Sequence, residues 1–145
     1  MTDTLLSNAL VPVASPNDAE KTCRVVLPRV AAAGGRVTAL HVVEKGGGAP
    51  DKASVEQREE YAAEGFDVVR NRADEAGVPV ETELVFSTDV VKAILQTGHD
   101  MNASAIVFTP RGGSRWLDLL TGDTSRDLVK RADRPVIALP AETDE

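Results

Sequence analysis

Aromatic residues make up only 3% of this 145-residue chain, although 42% of it is apolar. Its core must therefore be built from Ala, Val, Leu and Ile, a palette that suits close packing of helices on a sheet. Cysteine is nearly absent: Cys23 stands alone, which excludes an internal disulfide framework and fits a reducing compartment. As a small apolar side chain, Cys23 is expected inside a helix, facing the core. Positive charge is short too, with 16 Lys and Arg against 23 Asp and Glu and a formal charge of -7. Such a surface repels phosphate polymers and anionic lipid, so neither nucleic acid nor membrane is expected as a partner. No long hydrophobic run is present either. Ala9 to Val13 is too short for a signal peptide or a span, and Met1 to Thr4 carries no basic residue, so a soluble cytoplasmic protein is expected. One domain over residues 1–145 is the natural organisation, since a chain of this length buries roughly 68% of its unfolded surface in a core of its own.

What the chain does have is alternation. Leu10 to Val13 reads as a strand ending at Ser15-Pro16-Asn17, whose residues suit a helix start. A helix is expected from about Asp18 to Ala33, closed by Gly34-Gly35 and kinked at Pro28, which lacks a backbone donor. Arg36 to Val43 reads as a second strand. After the run Gly46 to Pro50, a helix is expected from Ser54, with Gln57 at capping-box spacing, to about Ala76. Val78 to Phe86 alternates polar and apolar residues and carries Pro79 near its start, as an edge strand would. A third helix, capped by Ser87 or Thr88 and marked by Val90, Val91, Ile94 and Leu95, ends near Met101-Asn102. Ala105 to Thr109 is a continuous apolar strand of the type buried on both faces. A loop from Pro110 to Gly122, a helix from about Thr124 to Ala132 and a strand within Pro135 to Pro140 complete the chain. Five strands alternating with four helices predict an α/β fold: an open parallel sheet of order 3-2-1-4-5 with helices on both faces. Ligands of such sheets bind outside the carboxyl ends of the strands where the order reverses, here between strands one and four. Pro12 to Pro16 and Thr109 to Thr124 should line that crevice.

The usual occupants of such a crevice leave marks that are missing. Val13-Ala14-Ser15-Pro16-Asn17 holds no glycine-rich dinucleotide turn, no Gly-Lys-Ser or Gly-Lys-Thr phosphate loop closes anywhere, and Ala14 and Ser15 supply no carboxylate for Mg²⁺. His41 and His99 have no metal-ligand partner at a recognisable spacing, so no metal is expected. Glu59-Glu60 fall on a solvated helix face. No nucleophile or base stands out, and no catalysis is expected.

The informative stretch runs from Phe108 to Ser125. With it the chain resembles the universal stress protein family, whose closing signature is Gly-x-x-Gly, nine residues, then Gly followed by Ser or Thr. The resemblance extends over nearly the whole chain, through Val11-Pro12-Val13, Leu40-His41-Val42-Val43 and Arg134-Pro135-Val136-Ile137-Ala138-Leu139. In members that hold ATP, Pro-x-Asp on the first strand, a Val backbone on the second and the glycine signature form the site. Carried over, that site falls on Pro12, Ala14, Val42, Phe108, Thr109, Gly112, Gly122, Asp123 and Thr124.

Gly112 and Gly122 keep the signature's spacing, but three side-chain requirements are broken. Thr109 replaces the first glycine, Asp123 replaces Ser or Thr, and Ala14 replaces the Asp that would contact the nucleoside. A carboxylate at Asp123 can cap the helix that follows, and at about 4 Å from a phosphate it repels by roughly 1–4 kcal/mol per unit charge. Arg111, Arg115 and Arg126 are placed to offset part of that repulsion. The resemblance thus implies a non-enzymatic stress-response or regulatory protein that is not a tight ATP binder and needs no cofactor. The alternative is an ATP or adenylate sensor that holds its ligand through backbone contacts at Val42, Gly112 and Gly122. For Trp116, Leu117, Leu119 and Leu120 the expected role is to pack the loop down, or to reach a partner. The last strand, Val136, Ile137, Ala138 and Leu139, is an apolar edge that must be protected or used. The resemblance implies that it pairs with its twin to make a homodimer; a further protein partner is left open.

Overall fold

A computed structural model describes residues 5–44, 52–109 and 122–140. The elements are β1 (Asn8–Pro12), α1 (Pro16–Ala32), β2 (Arg36–Glu44), α2 (Lys52–Ala76), β3 (Val80–Ser87), α3 (Val90–Asp100), β4 (Ala105–Phe108), α4 (Gly122–Arg131) and β5 (Val136–Ala138). All strand pairs are parallel and the order is β3-β2-β1-β4-β5, the expected one. β1 is central, registered through Leu10 with Thr38 of β2 on one side and with Ile106 of β4 on the other.

The alternation of side chains along these strands divides the core in two. Ala9 and Val11 of β1, Val37 and Ala39 of β2 and Ala105 and Val107 of β4 pack against α1 and α2. Leu10, Leu40, Val42, Ile106 and Phe108 face the other way, onto Val90, Val91 and Ile94 of α3 and Leu128 of α4. Alanines at Ala9, Ala39, Ala62, Ala73 and Ala105 let the helices of the first face approach the sheet closely. Cys23 is buried in that layer, and burial pushes its thiol up to about 12. It is a packing residue, as its setting in the sequence suggests.

Local chemistry sets the boundaries, and several differ from expectation. α1 begins at Pro16 and continues through Pro28 to Ala32. α2 begins at Lys52, so Ser54 lies inside the helix rather than capping it. The cap of α3 is Asp89, whose carboxylate accepts from Lys92 N at 3.0 Å; Ser87 and Thr88 do not cap it. Ser87 Oγ is engaged with Asp89, whose N–H donates to it at 3.0 Å. α4 begins at Gly122, which puts Asp123 in its first turn rather than at its cap. The turn from α1 into β2 depends on two glycines. Gly34 takes a φ of 68°, and a Cβ at Gly35 would lie 1.9 Å from the Leu6 carbonyl oxygen, so no larger residue fits there.

Candidate functional site

The order of the sheet reverses at β1, so the crevice opens where the chain leaves β1 for α1 beside the end of β4. β1 gives way to a helix within four residues. Ser15, with extended backbone (φ -152°, ψ 164°), is the N-cap of α1, and its Oγ accepts from Asp18 N at 3.0 Å. Asp18 then turns back into the protein. Its Oδ2 accepts from Ala14 N at 2.9 Å and its Oδ1 from Thr22 Oγ1 at 3.3 Å. Thr22 Oγ1 lies 2.8 Å from Thr109 Oγ1, directly after β4. One chain of polar groups thus runs from the exit of β1, through the first turns of α1, to the exit of β4. Asp18, Thr22 and Thr109 are 3%, 1% and 1% exposed.

The electrostatics follow from that enclosure. Burial pushes the Asp18 carboxyl up to about 6, against the opposing pull of the Ala14 N–H, the Thr22 hydroxyl and the Lys21 charge. With Asp18 ionised, Thr22 must donate to it, so Thr109 donates to Thr22 and the chain has one direction. On the neighbouring strand, buried His41 donates from Nδ1 to the Val13 carbonyl at 3.0 Å, and burial holds its pKa below the ordinary value. A neutral imidazole therefore fixes the last turn of chain before Ala14.

Of the residues expected at the site, Ala14, Val42 and Phe108 join one packed cluster with Leu10 and Leu128. Pro12 ends β1, and Thr109 closes the polar chain. Gly112 lies outside the described residues, as do Arg111, Arg115 and residues 116–120. Gly122, Asp123 and Thr124 form the start of α4, their side chains lying outside the described residues. Asp18 and Thr22 were not among the expected residues. Their signal is present nonetheless: Ser15-x-x-Asp18 is a capping-box spacing, and Thr22 follows one turn later on the same helix face. Among the described residues, no group of three or more His, Cys, Asp or Glu side chains is arranged to hold a metal ion.

The model of the universal stress protein family matches residues 6–140. The chain belongs to this family. No curated protein matches it. Among solved structures, a universal stress protein from Burkholderia pseudomallei superposes with a TM-score of 0.73 at 22% identity, covering 96% of this chain and 99% of that one. UspA from Lactobacillus plantarum superposes with a TM-score of 0.68 at 22% identity, covering 92% and 97%. A universal stress protein from Archaeoglobus fulgidus, solved in complex with dAMP, superposes with a TM-score of 0.60 at 23% identity, covering 95% and 98%. At these identities the likeness establishes a shared universal stress protein fold. No helix among the described residues is long and apolar enough to cross a membrane.

Proposed function

We propose that this universal stress protein is a cytoplasmic, non-enzymatic stress-response or regulatory protein, dimeric through β5, whose switch-point crevice no longer holds ATP tightly. The observation that carries this reading is the closed chain Ala14–Asp18–Thr22–Thr109. Ala14 brings no side-chain acceptor for a sugar, and the Asp18 carboxylate beside it spends both oxygens inside the protein. Thr109 turns its hydroxyl to Thr22. Among the described residues, no nucleophile or base is left over in the crevice to carry a reaction.

A second reading, an adenylate sensor, draws support from the relative solved with dAMP. It requires the backbone of β2 and α4 to hold the ligand without those side chains. Heat denaturation of the purified protein and assay of the supernatant separates the two. The first reading expects no adenine nucleotide and no shift in melting with Mg-ATP; nucleotide recovered near one per chain overturns it.

The dimer rests on the geometry of the edge. Leu139 N donates to Phe108 O at 2.9 Å and Ile106 N to Pro135 O at 2.9 Å. By the alternation of a parallel ladder, the N–H of Ala138 points away from β4. Ala138→Pro therefore removes an outward donor and leaves the ladder whole. The variant is expected to keep its circular dichroism spectrum and elute as a monomer where the wild type elutes as a dimer; equal elution of the two overturns the β5 interface.

A further inference from the structure

A second concavity lies on the α3 side of the sheet, between α3 and the pair β2–β3, with a volume of about 770 Å³. It is separate from the switch-point crevice. By register, Thr38 of β2 stands beside Glu81 of β3, and Leu40 beside Glu83. Alternate residues of a strand share a face, so Thr38, Glu81 and Glu83 project together into this groove, followed by Val85.

Two features of these residues are left unanswered among the described residues. Thr38 is 7% exposed and lines the groove, yet its hydroxyl makes no hydrogen bond to any described residue. Buried hydroxyls are almost always paired, so one without a partner that lines a groove calls for an explanation. Glu81 and Glu83 are exposed and form no ion pair with any described residue. The other carboxylates of the groove are occupied: Asp100 accepts from Gln96 at 2.9 Å, and Asp89 caps α3 and pairs with Arg131 at 3.6 Å. Lys92 is the single cation of the lining among the described residues. Val85, Ala93 and Met101 supply apolar wall between the charges.

We propose that this groove binds an aliphatic polyamine. Its ammonium groups would meet Glu81, Glu83 and the Thr38 hydroxyl as acceptors, and its methylenes would lie along Val85, Ala93 and Met101. Three donors on each ammonium allow one group to serve a carboxylate and the hydroxyl at once. Residues two apart on a strand are separated by roughly 7 Å, the reach between neighbouring ammoniums on a short alkyl tether. A bare metal ion does not fit, because no three metal-ligating side chains converge among the described residues. A second copy packed groove on groove about a two-fold axis does not fit either, because it would bring its own Glu81 and Glu83 against these.

Calorimetric titration of the full-length protein with spermidine tests the assignment. Saturable binding of one molecule per chain is expected, weakening as salt rises. The double change Glu81→Gln and Glu83→Gln should weaken it by about tenfold, and Thr38→Val by about threefold at unchanged charge. Glu59→Gln with Glu60→Gln, an equal charge change on exposed positions of α2, should leave it unaltered. No saturable binding, equal weakening in the two double variants, or wild-type affinity in Thr38→Val overturns the proposal. Tighter binding of an acetylated tetralysine peptide than of spermidine overturns it as well, because the site would then belong to a protein partner.

Discussion

Thr38 and Thr109 are both buried threonines of one parallel sheet, on strands separated by β1 and at opposite ends of them, and they end in opposite states. Thr109, at the carboxyl end of β4, bonds to Thr22 and through it to Asp18. Thr38, near the amino end of β2, has no partner among the described residues and faces a groove flanked by Glu81 and Glu83, which form no ion pair with any described residue. The first arrangement turns the polarity at the switch-point crevice inward, where it stabilises the fold. The second leaves polarity unsatisfied, a cost that folding alone gives no reason to keep. The site that the fold would nominate for a ligand is therefore the self-satisfied one.

Three measurements can break or sharpen that contrast. The largest effect concerns pH. Asp18 is pushed from 3.8 up to about 6, so between these values the folded chain keeps a proton that the unfolded chain releases. Its stabilising contribution is complete below pH 4 and is lost as pH rises through 6, a change on the order of 3 kcal/mol. Urea unfolding from pH 4 to 7.5 should show the wild type losing about that much stability relative to Asp18→Asn, whose neutral amide can still accept from Ala14 N. Parallel profiles for the two proteins would mean that Asp18 does not lie enclosed as described. Next in size is Thr109→Val, which removes a buried hydrogen bond and should cost about 1 kcal/mol in the same assay. An unchanged midpoint would make Thr109 the equal of Thr38 and erase the contrast. Smallest is Thr38→Val. Exchanging an unpaired hydroxyl for a methyl on a strand should leave stability unchanged or raise it by roughly 0.5 kcal/mol. A loss as large as that of Thr109→Val would reveal a hidden partner.

Much of this architecture is legible from residue pattern alone. The unbroken apolar run Ala105 to Phe108 marks a strand covered on both faces, and all four residues are buried. The alternation from Val78 to Phe86, with Pro79 near its start, marks an edge, and β3 (Val80–Ser87) is one. Those patterns report burial averaged over an element, which is what tertiary packing preserves. Boundaries depend on single hydrogen bonds and are harder to read: Ser87, Thr88 and Asp89 are all good caps, and the choice falls on Asp89 because Ser87 is held by the backbone that follows it. The inward turn of Asp18 is harder still. An acidic residue in the first turn of a helix ordinarily stays in solvent, where the dipole favours it. Only the path of the chain over Ala14 shows that this one is enclosed. The broken requirements at Ala14 and Thr109 are visible in the sequence, but not the polar chain that links their positions.

The pairing of β1 has a consequence for how the molecule forms. Ala9 meets Val37 early in the chain but must wait for Ala105 on its other side. During synthesis the segment through β3 can assemble with α1 and α2 over it. The opposite face, with Leu10, Leu40 and Val42, remains open until α3, β4 and α4 arrive. Such long-range parallel pairing slows folding, and a half-built sheet of this kind is the species most prone to aggregate. The charged β3 then has a second use. Glu81 and Glu83 discourage strand addition along the edge that is complete first, while the opposite edge has yet to exist.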